Sequence, residues 1–130
     1  MNYLLDTHTL IWALVSPEKL SLKVKKIILD NTSWISVVSF WEISLKYTIG
    51  KLNLQNVKPD EIRESSIKTG FTVLDLDSET AATFYKLPRI KNKDPFDLML
   101  AWQAISGNFT LLSKDKGFDI YRLSGLKRVW

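Results

Sequence analysis

The sequence predicts an α/β fold: a mostly parallel central sheet with helices on both faces. Three observations lead there. Short apolar or β-branched segments recur along the chain, and each is followed by a stretch with helical periodicity. Strands alternating with helices pair in parallel, because each crossover helix returns the chain to the same edge. Acidic residues stand where four of these segments begin or end: Asp6, Glu42, the Asp94/Asp97 pair and Asp115. In such a sheet all strand carboxyl ends share one edge, and ligand sites form along it.

Tyr3-Leu4-Leu5 reads as the first strand, ending at Asp6. Thr9 to Val15 is expected to be helical, with Leu10, Ile11 and Leu14 on one face and His8 in the turn before it. A lone histidine there is more readily structural than catalytic. Ser16-Pro17 breaks this helix. Ser21 is placed to cap a basic helix from Leu22 to Leu29, whose Lys23, Lys25 and Lys26 read as a solvated face. Trp34 to Val38 has the β-branched content of a buried strand. Ser39-Phe40-Trp41-Glu42 has the Ser-x-x-Glu form of a capping box, opening a helix to Ile49 before Gly50.

After a connector from Lys51 to Val57, Pro59 to Thr69 reads as an amphipathic helix stopped by Gly70. Phe71 to Leu74 is a third strand, and Ser78 to Leu87 a helix halted by Pro88. A basic approach, Arg89 to Lys93, leads to the best-marked helix of the chain. There Asp94 is an N-cap, Pro95 falls at the first helical position, and Asp97 sits at the third. Its residues from Leu98 to Ala104 are apolar except Gln103, which belongs in a core. Capping alone would explain Asp94 and Asp97; the recurrence of acids at the other segment ends points further. Gly107-Asn108 ends the helix, Phe109 to Leu112 is a fourth strand, and Ser113-Lys114-Asp115 follows it. Leu126 to Trp130 is expected as an edge strand.

Composition sets bounds on function. The 130 residues suit one domain spanning 1–130, with about two-thirds of the unfolded surface buried. There is no cysteine, so disulfides and thiolate zinc sites are excluded, and one histidine leaves no Ser–His triad in prospect. No apolar run approaches the roughly 20 residues of a membrane span, and the start lacks a basic, apolar leader, so a cytoplasmic location is expected. Net charge is +4, from 18 basic and 14 acidic residues. Setting the five candidate acids aside leaves 9 acidic against 18 basic, a body suited to a polyanion.

Clustered carboxylates repel one another and resist full ionisation. A hard divalent cation resolves that, and an oxygen-only donor set suits Mg²⁺ or Mn²⁺. The chemistry that fits is hydrolysis of a phosphodiester by metal-activated water. Asp6, Glu42, Asp94, Asp97 and Asp115 are the candidate metal ligands. Lys46, Lys91, Lys93, Lys114 and Ser113 are the candidate substrate contacts.

These residues resemble the PIN-domain ribonucleases, and specifically the VapC-like toxins of toxin–antitoxin pairs. Leu4-Leu5-Asp6-Thr7-His8 with Trp12 resembles the family's opening motif. Ser39-Phe40-Trp41-Glu42-Ile43 with Lys46 and Gly50-Lys51-Leu52 resembles the second. Asp94-Pro95-Phe96-Asp97 with Ala101 and Gln103-Ala104 resembles the third, and Leu112-Ser113-Lys114-Asp115 with Phe118 the fourth. The resemblance covers nearly the whole chain in order. It implies a magnesium-dependent endoribonuclease inhibited by a cognate antitoxin and usually dimeric. It also implies that Asp6, Glu42, Asp97 and Asp115 are the catalytic acids, with Asp94 accessory or a cap. The chain departs from the family pattern at Asn92, where His is frequent, at Leu98, where Arg is frequent, and at Ser113, where Thr is usual. These departures bear on substrate contacts more than on metal binding.

Three rival readings share parts of this pattern. A phosphoacceptor receiver domain has the same size and strand-end acids, but needs paired acids after the first strand, where Thr7 and His8 stand. A haloacid-dehalogenase-like phosphatase needs a second Asp where His8 stands. A catalytically inactive PIN-fold binding module would not need the full acid set.

Overall fold

The computed structural model describes residues 1–90 and 94–130. Its sheet has five parallel strands: β1 (Tyr3–Leu5), β2 (Ser33–Ser36), β3 (Thr72–Leu74), β4 (Thr110–Leu112) and β5 (Lys127–Val129). They lie in the order β3-β2-β1-β4-β5. The chain runs outward from β1 to β3, then crosses back to place β4 on the other side of β1. That order differs from the 2-1-3-4-5 arrangement of receiver-type sheets, which removes the receiver reading.

Side chains alternate across the strands and divide the core in two. Leu5, Ile35 and Leu112 stand level with one another and sink into one layer. That layer also takes Leu10 of α1 (Thr7–Val15), Val24 of α2 (Leu22–Asp30), Ile43 of α3 (Val37–Thr48) and Ile62 of α4 (Pro59–Thr69). Leu4 and Leu111 point to the opposite layer, against Ala101 and Ala104 of α6 (Pro95–Gly107) and Phe118 and Tyr121 beyond β4. Helices therefore cover both faces, as expected. No helix among the described residues is long and apolar enough to cross a membrane.

Several element ends follow local chemistry. The Ser21 hydroxyl accepts from the Val24 N–H, Pro59 opens α4, and Gly70 closes it at φ 100°, a left-handed position that glycine adopts without strain. Asp94 caps α6, and Asn108 ends it at φ 56°. Other ends differ from expectation. α1 begins at Thr7, because Asp6 rather than the turn after it supplies the cap. β2 stops at Ser36, whose hydroxyl accepts from the Val38 N–H at 3.0 Å, so Val37 and Val38 open α3 despite their β-branching. The expected Ser39–Glu42 capping box is therefore not a cap: both residues lie inside α3 and are buried. The expected helix from Ser78 to Leu87 is α5 (Ser78–Thr83) followed by a tighter 3-10 turn over Phe84–Lys86, ahead of Pro88.

Candidate active site

The order of the strands reverses between β1 and β4, and the crevice at their carboxyl ends is where such sheets bind ligands. Asp6 stands there. Its N–H donates to the Leu112 carbonyl at the end of β4 (3.1 Å), and its carboxylate accepts from the Thr9 N–H (2.8 Å). Only 5% of Asp6 is exposed. Burial pushes its pKa above the usual carboxylate value, against opposing hydrogen bonds from Ser113 and Thr9 and the charge of His8. Asp115 follows β4, its N–H donating to the Ser113 hydroxyl (3.1 Å) and its carboxylate accepting from the Gly117 N–H (2.8 Å). Asp6 and Asp115 line one cavity of about 280 Å³, together with His8, Trp12 and Lys114.

Glu42 and Asp94 form a second group beside the first. Glu42 is 3% exposed, and its Oε1 lies 2.5 Å from Thr7 Oγ1. Thr7 Oγ1 is also 3.0 Å from Ser39 Oγ. Thr7 has one hydroxyl proton, which goes to the carboxylate, so Ser39 shares its own. The other oxygen of Glu42 accepts from Lys46 Nζ, one helical turn along α3. The same ammonium is 4.0 Å from Asp94 Oδ2. Burial disfavours the charged Lys46, but the hydrogen bond and charge of Glu42, with Asp94 and Asp97 beyond, outweigh it and raise the pKa. Asp94 Oδ1 caps α6, accepting from the N–H groups of Phe96 (2.8 Å) and Asp97 (3.4 Å). Asp97, three residues beyond Asp94 in that helix, is half-buried.

The two groups meet at Asp6-Thr7: one residue faces the β1–β4 crevice, the next holds Glu42. Among the described residues, no three Asp, Glu or His side chains stand close enough together to hold an ion as placed. The donor chemistry nonetheless fits a hard divalent cation. The donors are oxygen only, Asp6 is stripped of water, and Lys46 Nζ supplies a positive charge among Glu42, Asp94 and Asp97.

The predicted substrate contacts divide. Lys114 lines the Asp6–Asp115 cavity, its Nζ 6.0 Å from the Trp12 ring centre. Lys46 is turned onto carboxylates. Ser113 does not fit a substrate contact, because it is fully buried, with its hydroxyl tied to Asp6 and to the Asp115 N–H. Lys91 and Lys93, and the departure at Asn92, lie outside the described residues. Sequence reasoning missed Thr7 as the residue that positions Glu42. The available signal was its place directly after Asp6, at the first position of the helix that Asp6 caps.

Residues 3–123 match the PIN domain family. None of the curated proteins matches this sequence. Among solved structures, the chain is similar to one in VapBC2 from Rickettsia felis bound to a promoter DNA fragment. The TM-score is 0.69 at 21% identity, covering 99% of this chain and 98% of that one. It is similar also to one in DNA-bound VapBC from Salmonella typhimurium (TM-score 0.68, 19% identity, 99% and 97% covered). A third match is FitAcB from Neisseria gonorrhoeae (TM-score 0.62, 18% identity, 100% and 97% covered). At these identities the structures speak for the fold, and the family match over nearly the full length says the rest: this chain belongs to the PIN domain family.

Proposed function

We propose that residues 1–130 form one catalytic domain, a VapC-like endoribonuclease toxin dependent on Mg²⁺ or Mn²⁺ and working in the cytoplasm. The observation that carries this reading is the shared cavity of Asp6 and Asp115 at the β1–β4 switch point, with buried Glu42 held next to it by Thr7. Asp6, Glu42, Asp97 and Asp115 are the catalytic and metal-holding acids, with Asp94 as cap and outer charge. A divalent cation held by these acids would supply Lewis-acid activation of a water and charge stabilisation at the phosphodiester. Ser113 and Thr9 hold Asp6, Thr7 holds Glu42, and Lys114 faces the substrate phosphate from the cavity wall.

The similar structures are of VapBC and FitAB assemblies, which supports a cognate antitoxin as partner of this chain. Such a partner would offer a cation to the carboxylates, the place Lys46 takes here. A homodimer would cover exposed aromatic residues such as Trp41 (64% exposed) and Tyr85 (78% exposed). The test is cleavage of single-stranded RNA with Mn²⁺ and with excess chelator. Cleavage that needs the metal is expected; undiminished cleavage in chelator overturns the metal reading, and no cleavage of any RNA with metal present overturns the nuclease reading.

A further inference from the structure

A second cavity, of about 470 Å³, opens beside the first and is lined by Lys23, Lys114, Lys116, Arg128, Val129 and Trp130. Four cations from α2, the loop after β4, the turn that follows it and β5 converge there. No acid lines it. Arg128 is already engaged: its guanidinium meets both Asp119 oxygens (2.8 and 3.1 Å) and donates to the Ser113 carbonyl (2.9 Å). It therefore braces the wall. Among the described residues, ion pairs join Lys46 to Glu42 and Asp94 and Arg128 to Asp119, and none involves Lys23, Lys114 or Lys116. Asp119 offsets Arg128 and part of the charge of Lys116, and the lysine charge left over on this wall is suited to an anion.

Its position says which anion. Lys114 lines both this cavity and the one that holds Asp6 and Asp115. Trp12 of the first meets Trp130 of the second edge to face, ring centres 5.8 Å apart. A polyanion whose reacting phosphate lies at the acids would pass Lys114 and bring another phosphate among Lys23, Lys114 and Lys116. Trp130, half-buried at the rim, adds an aromatic surface of the kind on which unpaired bases stack.

We propose that this cavity is a subsite for a backbone phosphate of single-stranded RNA, one or more nucleotides away from the bond that is cut. The inference rests on the nuclease reading for the direction of the strand. Lys23 and Lys116 are exposed, so replacing them leaves the core intact.

The test is binding of a roughly 12-nucleotide single-stranded RNA to metal-free protein, read by anisotropy across a salt series. Lys23→Glu with Lys116→Glu should weaken binding at low salt at least about tenfold and flatten the log–log salt slope by about 1–2. Lys25→Glu with Lys26→Glu, on the same helix but not among the residues that line the cavity, should change affinity less than about threefold. Unchanged affinity and slope in the first variant, or an equal loss in the second, overturns the subsite. So does a first variant that binds RNA normally but no longer binds an acidic protein partner, which would make the cavity a protein-docking site. Cleavage is scored separately with Mn²⁺ on the wild type: if it fails while binding responds as stated, the subsite stands and the nuclease reading falls.

Discussion

Thr7 Oγ1 and Glu42 Oε1 lie 2.5 Å apart, joining the first turn of α1 to the middle of α3 across 35 positions of sequence. The contact is buried, and it joins the residue after Asp6 to an acid on another element. Thr7→Val keeps the volume and removes the hydroxyl proton. It is expected to leave a buried acceptor short of one donor, costing about 1–3 kcal/mol of stability. RNA cleavage should also fall as Glu42 loses its orientation, while Thr7→Ser should restore both. Equal cleavage by the valine and serine variants would remove Thr7 from the site.

Asp94 and Asp97 sit three positions apart with different tasks. Asp94 accepts from two N–H groups at the start of α6, whereas Asp97 adds its charge to the surroundings of Lys46. Asp94→Ala is expected to cost about 1 kcal/mol in thermal or denaturant unfolding, as loss of a cap does. Asp97→Asn should leave metal-free stability near that of the wild type and lower metal-dependent cleavage by orders of magnitude. An Asp97→Asn protein that cuts RNA at the wild-type rate ends its role as a metal-site acid.

Asp6 carries a pKa raised above 3.8 by burial. Its native state therefore holds a proton that the unfolded chain has already released, so this group's contribution to stability declines as pH rises from about 3.8 through the raised pKa. Asp6→Asn retains the cap on α1 and removes that penalty. Metal-free melting temperature at neutral pH should rise in the variant, and the stabilisation of the wild type by added Mn²⁺ should disappear. A wild type that Mn²⁺ does not stabilise, or a less stable metal-free variant, would contradict this account.

Asp119 shows the opposite sign. Its hydrogen bonds from Arg128 hold its pKa below 3.8. The stability it contributes is fully present above the ordinary carboxylate value and is lost as the pH falls through the lowered one. Asp119→Asn should therefore reduce stability at neutral pH and converge with the wild type in strong acid. A constant difference across an acid titration of unfolding would rule the pair out as its source.

Gly107 is required by packing. A Cβ built there comes 2.4 Å from Cε2 of Phe109, a nearly buried ring set edge-on to Trp34 with centres 5.5 Å apart. Gly107→Ala should cost about 1–3 kcal/mol through displacement of that ring. Phe109→Leu in the alanine background should recover part of it; a neutral Gly107→Ala would show that the ring moves freely.

The sequence alone determined the elements whose signals are local. Pro59 and Gly70 bound α4, Asp94-Pro95 starts α6, and Asn108 ends it, because caps and φ preferences act within one turn. It also indicated an acidic edge, since β/α alternation brings strand ends together whatever the strand order. Where a local signal had two readings, tertiary contacts chose. Ser39 and Glu42 have the form of a capping box, yet Ser36 took the cap and turned both side chains inward to Thr7. Ser113 resembles a substrate contact, yet β4 buries it beneath Asp6. Desolvation of Asp6, the placement of Lys46 between Glu42 and Asp94, and the convergence of Lys23 with Lys116 all depend on which strands are neighbours. That order is set by the packing of two cores on one sheet, which no short window of residues encodes.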